Sequence, residues 1–200
     1  MKIRILTWLM LVAFTALSLG AAQTLWTQER LAEKTVRLHV VANSDDEADQ
    51  AQKLAVRDAV LPVISALTAD CKDAQQAREV LAAHLSEIQA AALTASNGRE
   101  VTASLTNEAF PTRYYETFTL PAGTYPSLRI RIGAAQGHNW WCVVFPSLCF
   151  AATSDALEES AAVGGFDEAE TDLITGGEET YTIRFKVFEW VQALIEYLKS

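Results

Sequence analysis

Apolar and polar positions alternate first at Val36-Arg37-Leu38-His39-Val40-Val41-Ala42. That is the period of a strand, with Val36, Leu38 and Val40 facing a core and His39 on the opposite, half-exposed face. The period then lengthens. Ser44 with Glu47 three residues on reads as a capping box, and Asp45 and Asp46 suit a helix N-terminus. A helix is expected from about Asp45 to Ala59, continuing toward Thr68, with Pro62 kinking or dividing it. A second helix is expected from about Asp73 to Ala95, with Leu81, Leu85, Ile88 and Ala92 on one face and Asn97-Gly98 ending it. His84 adjoins that stripe and reads as a packing residue.

Alternation returns at Val101, Ala103 and Leu105, and at Leu128, Ile130 and Ile132. Tyr114 to Leu120 is rich in β-formers, Pro121-Ala122-Gly123 is a turn, and Trp140 to Phe145 is apolar on both sides. Four consecutive antiparallel strands are the expectation, with the last central or covered. Residues 151–180 carry two Gly pairs and weak periodicity, and read as a long surface loop with one short helical piece. Tyr181, Ile183 and Phe185, then Val187 to Leu198, suggest a closing strand and helix. The sum is an α+β domain over 30–200: a mainly antiparallel sheet with helices packed on one face.

The first residues obey a different pattern. Lys2 and Arg4 precede an uncharged apolar run, Ile5 to Leu19, followed by Gly20, Ala21, Ala22 and Gln23. That layout is a secretory signal peptide over 1–22, with small residues suited to cleavage before Gln23. The rival is an uncleaved N-terminal anchor, since no charge stands between Arg4 and Glu29. Either way the bulk of the chain is expected to be exported.

Charge sharpens the picture. The 200 residues carry 16 Lys+Arg against 25 Asp+Glu, a net charge of -9. Nine of the acids fall between Ile132 and Ile183, where there is no Lys or Arg. Outside that stretch sixteen acids face sixteen bases. The excess is local, and an acidic chain is a poor match for a phosphate backbone, so no nucleic acid is expected. Export makes a disulfide chemically reasonable. Cys142 and Cys149, separated by a segment with Pro146 and Ser147, are candidates for one; two buried free thiols are the alternative.

Candidate chemistry centres on Gly137-His138-Asn139-Trp140-Trp141-Cys142. His, Asn and Cys are the residue types of a thiol hydrolase. On a strand, however, His138 and Cys142 would stand about 13 Å apart, too far for a nucleophile and its base. The remaining readings are core packing or an exposed recognition surface. No zinc spacing, P-loop, nucleophile elbow or dinucleotide fingerprint occurs. Neither catalytic residues, nor a metal, nor a cofactor are assigned. The acids at 45–49 lack the spacing and glycine of an EF-hand.

Two ordered blocks resemble the stage II sporulation protein R family. One is Leu38-His39-Val40-Val41-Ala42-Asn43-Ser44-Asp45 with Asp49-Gln50, Lys53-Leu54 and Val56-Arg57-Asp58-Ala59-Val60-Leu61. The other is Leu120-Pro121-Ala122-Gly123, Tyr125, Leu128-Arg129-Ile130, Ile132-Gly133, Gly137 to Val143, and Phe145-Pro146 to Phe150. The resemblance covers about residues 30–150 and Arg184 to Trp190. It implies a signalling protein, not an enzyme, made in the forespore and exported between the forespore and mother-cell membranes. Its implied partner is a membrane-embedded sporulation aspartic protease, which then removes the pro-sequence of the sigma-E precursor. The candidate partner-binding residues are His138, Asn139, Trp140 and Trp141. Two other functions stay in play: a thiol-dependent hydrolase in the same space, and a structural protein of the spore envelope.

Overall fold

A computed structural model describes residues 2–150 and 154–175. Helix α1 (Lys2–Glu33) leads into strand β1 (Val36–Val41), then helices α2 (Glu47–Thr68), α3 (Ala74–Ala83) and α4 (Leu85–Thr94). Strand β2 (Val101–Phe110), short strands β3 (Arg113–Tyr114) and β4 (Thr119–Leu120), and strands β5 (Gly123–Ile132) and β6 (Asn139–Phe145) follow. A 3-10 turn (Leu148–Phe150) then leads to helices α5 (Ser154–Val163) and α6 (Glu168–Thr175). The expected closing strand and helix lie outside the described residues.

The fold is α+β, but the sheet is mixed, not mainly antiparallel. Its order is β2-β5-β1-β6. β1 pairs parallel with β5 and antiparallel with β6, while β2 and β5 form a long antiparallel pair. The parallel pair arises because helices α2 to α4 carry the chain from β1 over one face to the far edge. β2 is laid there, and β5 returns between it and β1. The run Tyr114 to Leu120 is no sheet member; it supplies parts of the separate β3–β4 ladder. β6 is an edge strand, buried only from Cys142 onward. Within the four-stranded sheet, β1 is the strand buried along its whole length.

Helices α2 to α4 cover one face. Val36, Leu38, Val40, Leu128, Ile130 and Ile132 from the sheet meet Val56, Val60, Ile64, Leu81, Ile88 and Ala92 from the helices. α2 continues undivided through Pro62, which is exposed while Leu61 and Ile64 stay in the core. Burial on both sides of the proline outweighs one lost backbone bond. The long second helix breaks at His84, whose φ of -111° and ψ of 20° end α3 and open α4. Its imidazole Nδ1 lies 2.8 Å from the Val80 carbonyl. The segment read as a loop contains α5 and α6. Asp167 and Glu170 form a reciprocal capping box: Glu170 N donates to Asp167 Oδ1 at 2.9 Å, and Asp167 N to Glu170 Oε2 at 2.7 Å. Leu157, Leu173 and Ile174 then bury against Leu31, Phe118, Leu120 and Val143.

The opposite sheet face is therefore covered as well. The end of α1, the β3–β4 segment and α5–α6 lie over its first half. Gln28 Nε2 donates to the Ala122 carbonyl. Arg30 bonds Asp167 at 2.5 Å and Lys34 bonds the fully buried Glu170 carboxylate at 2.6 Å. α1 is one continuous helix to Glu33. Among the described residues, no helix is long and apolar enough to cross a membrane.

Candidate functional site

The two sequence blocks singled out above meet at one end of the sheet. The connection after β1 and the connection between β5 and β6 are stitched together. Gln136 N donates to Asn43 O at 3.1 Å, and Gly137 N to Ala42 O at 3.0 Å. Asn43 Oδ1 accepts from Ala134 N at 2.9 Å, while its Nδ2 donates to Asp49 Oδ2 at 2.7 Å. Gly133 takes φ 55° beside Asn43, a left-handed backbone that glycine adopts at low cost. At Gly137 a Cβ would stand 2.1 Å from the Ser44 carbonyl oxygen. Nothing larger than glycine fits there without moving backbone.

Ser44 is not the helix cap that its spacing with Glu47 suggests. Asp46 occupies that position with no side-chain cap bond, and Ser44 Oγ instead donates to Asp49 Oδ2 at 2.7 Å. Bonds from Asn43 and Ser44, with the Arg99 guanidinium alongside, hold the Asp49 carboxyl below its usual range. Asp45 accepts from His138 N at 2.6 Å and pairs with the exposed His138 ring. Lys53 donates to the His138 carbonyl at 3.2 Å, and desolvation draws its ammonium below the ordinary lysine range. The start of β6 is thus pinned by residues of the first block.

The four candidate residues divide between two faces. Strand alternation turns Trp140 toward the helices, where the Arg57 guanidinium lies 5.1 Å over its ring. Asn139 and Trp141 lie on the other face, beside His39. His39 Nε2 is 2.9 Å from Asn139 Oδ1, and its Nδ1 is 3.1 Å from Glu108 Oε2. Trp141 is the register partner of His39, with ring centroids 5.7 Å apart. His138, Asn139, Trp140 and Trp141 are therefore not one flat patch. They wrap the exposed end of an edge strand, with one tryptophan on each side.

His39 is not the half-exposed surface residue its alternation suggests. It is 9% exposed, held between Phe110 and Trp141. Glu108 also pairs with Arg129 at 3.2 Å. Deeper on the same face, Arg37 is fully buried over Phe110, 4.0 Å from the ring centroid, and Nη2 donates to Tyr115 Oη at 3.0 Å. Arg113 stacks 3.6 Å over Trp141. Sequence reasoning left Arg37, Glu108 and Arg113 unremarked. Arg37 and His39 alternate with Val36, Leu38 and Val40, so they lie on the face of β1 opposite the helix-covered core.

Cys142 and Cys149 are bridged, with Cα atoms 5.6 Å apart. The bridge closes the turn that holds the cis peptide bond Phe145-Pro146. Cys71 is a free, buried thiol, and desolvation raises its pKa. Neither arrangement offers an activated thiolate. Among the described residues no group of three His, Cys, Asp or Glu side chains is placed to hold a metal ion.

The family model described as Stage II sporulation protein R (spore_II_R) matches residues 32–155. The match begins just before β1, ends as α5 begins, and takes in both stitched blocks. A curated relative, Stage II sporulation protein R of Bacillus subtilis (strain 168), is 37% identical over 122 residues. The alignment covers 59% of this chain and 54% of the relative, so the chain spans about half the length of that protein. No solved structure matches the chain.

Proposed function

The chain belongs to the stage II sporulation protein R family, and from that premise we propose that it is an exported forespore signalling protein. In this reading it acts in the space between forespore and mother-cell membranes. There it switches on a membrane-embedded aspartic protease, which processes the sigma-E precursor. The observation that carries the reading is the family match across the whole sheet and both stitched blocks. The apolar N-terminal run supports export, and a bridged Cys142–Cys149 pair suits an oxidising compartment.

The exposed end of β6 is the contact surface in this proposal. A half-buried tryptophan on each side of an edge strand offers large anchors at low entropic cost. Pinning by Asp45, Lys53 and Gly137 presets their positions, which cuts the ordering cost of association. The bridge removes the nucleophile from the thiol-hydrolase alternative while it is intact.

The test is reconstitution in a non-sporulating host, with the protease and the sigma-E precursor co-expressed. Precursor cleavage is expected only when this protein is exported. Replacing Trp140 and Trp141 together by Ala should abolish cleavage while export, level and disulfide persist. Full cleavage by a folded double variant would remove the contact surface from the proposal. No cleavage with all three wild-type components present would remove the signalling reading itself.

A further inference from the structure

Arg37 is fully buried, yet its charge has no visible counterpart. Among the described residues no carboxylate pairs with it. Its single side-chain hydrogen bond goes to Tyr115, and Nε and Nη1 are buried without a partner. On the neighbouring strand its register partner Ser127 is also fully buried, with an unpartnered hydroxyl. Burial draws the Arg37 guanidinium below its ordinary range and nearby Arg113 adds to this; Arg113 also has a buried Nε without a partner. Phe110 and Tyr125 wall the group at 4.0 and 5.1 Å from the guanidinium carbon.

Such an arrangement is costly as it stands. Buried polar groups are almost always satisfied, and an unpaired buried charge is among the most unfavourable features a fold can carry. Aromatic faces attract the cation but supply no acceptor for its N–H groups. Three donor groups, two guanidiniums and a hydroxyl, lie on one face, and what they lack is an anion with lone pairs. Guanidinium and hydroxyl donors between aromatic walls suit a planar carboxylate.

We propose that Arg37, Ser127 and Arg113 form a carboxylate-binding site on the polar face of the sheet, reached past Arg113 and Trp141. The carboxylate comes either from a small free acid or from an acidic side chain of a peptide. Arg37 supplies the charge, Ser127 a hydroxyl donor, and Arg113 closes over the bound group from its stack on Trp141. Occupancy adds acceptors where there are none, so it stabilises the fold by mass action.

The test uses the exported protein, purified with its disulfide intact. Acetate, acetamide and sodium chloride are titrated at constant ionic strength. Melting temperature and calorimetric binding are read, followed by a short peptide with one Glu and its Gln counterpart. Saturable stabilisation by acetate, absent with acetamide, assigns a free acid. Saturation by the Glu peptide alone assigns a side chain. Arg37→Met, which keeps most of the volume, should lose binding at least tenfold. Should that variant not fold, Ser127→Ala leaves the guanidinium in place and should weaken binding severalfold, whereas Arg57→Gln, over Trp140 on the other face, should leave it unchanged. Equal responses to acetate, acetamide and chloride, with no peptide binding, overturn the proposal. So does undiminished binding by folded Arg37→Met.

Discussion

The two faces of the central sheet are built on different terms. The helix-covered face joins Leu38, Val40, Leu128 and Ile130 to Val56, Val60, Ile64 and Ile88, an apolar layer with no charge to satisfy. The other face, on the same strands one residue out of step, carries Arg37, His39, Ser127, Arg129 and Glu108 among Phe110, Tyr125 and Trp141. One face holds the protein together. The other trades stability for polar groups whose placement is specific. Burial alone separates neither face from the other, because Leu38 and Arg37 are both fully buried. What separates them is whether a group needs a partner. Leu38 needs only contact, while Arg37 needs acceptors.

That contrast can be challenged from its strongest side first. Leu128→Ala should cost about 2–5 kcal/mol, because the helix layer cannot collapse into the space. Urea denaturation reads this, with an unchanged m value. Removing the disulfide by replacing Cys142 and Cys149 with Ala should cost about 2–3 kcal/mol, the scale of a short closed loop. Thermal unfolding with and without reductant should give the wild type the same loss. On the polar face, His39→Leu should cost about 1–3 kcal/mol by leaving Glu108 and Asn139 without their ring partner. A gain in stability instead would show that this face behaves like ordinary core.

Weaker effects sharpen the comparison at the junction. The Asp49 carboxyl has a folded pKa below its unfolded value of about 3.9. Its contribution is therefore complete above about pH 4 and is lost as pH falls through the folded value. Asp49→Asn should flatten that part of the acid limb in a pH-dependent melt and leave the curve above pH 6 unchanged in shape. The smallest effect belongs to Ser127→Ala, one residue from Leu128. Deleting a buried hydroxyl that has no partner should change stability by about 0.5 kcal/mol or less in acid-free buffer. Neighbours in one strand would then differ severalfold in cost, which is the contrast between the faces at its plainest.

Much of this was legible along the chain. The core face of β1, the α2 and α4 stripes and the alternation of β2 and β5 all follow from local period. The blocks 38–61 and 120–150 lie far apart in the chain, and only folding stitches Gly137 under Ser44. The Ser44–Glu47 spacing misled because Asp49 competes for the same hydroxyl. The acidic 154–175 segment misled because its helices have weak periodicity of their own. They are held by a capping box and by burial against Leu31 and Val143.

The sequence by itself determined which residues of β1, β2 and β5 travel together on one face, that helices fill most of 47–68 and 74–94, and the family the chain belongs to. It did so because side-chain period, turn chemistry and ordered motifs are properties of neighbours in the chain. Only the tertiary structure decided that β1 lies parallel to β5, that Asn139 and Trp141 flank His39, and that Arg37 is buried against Phe110 and Tyr125 with its bond to Tyr115. Those outcomes depend on what covers the second face of the sheet. The covering segments come from residues far away in sequence, whose arrival local pattern does not encode.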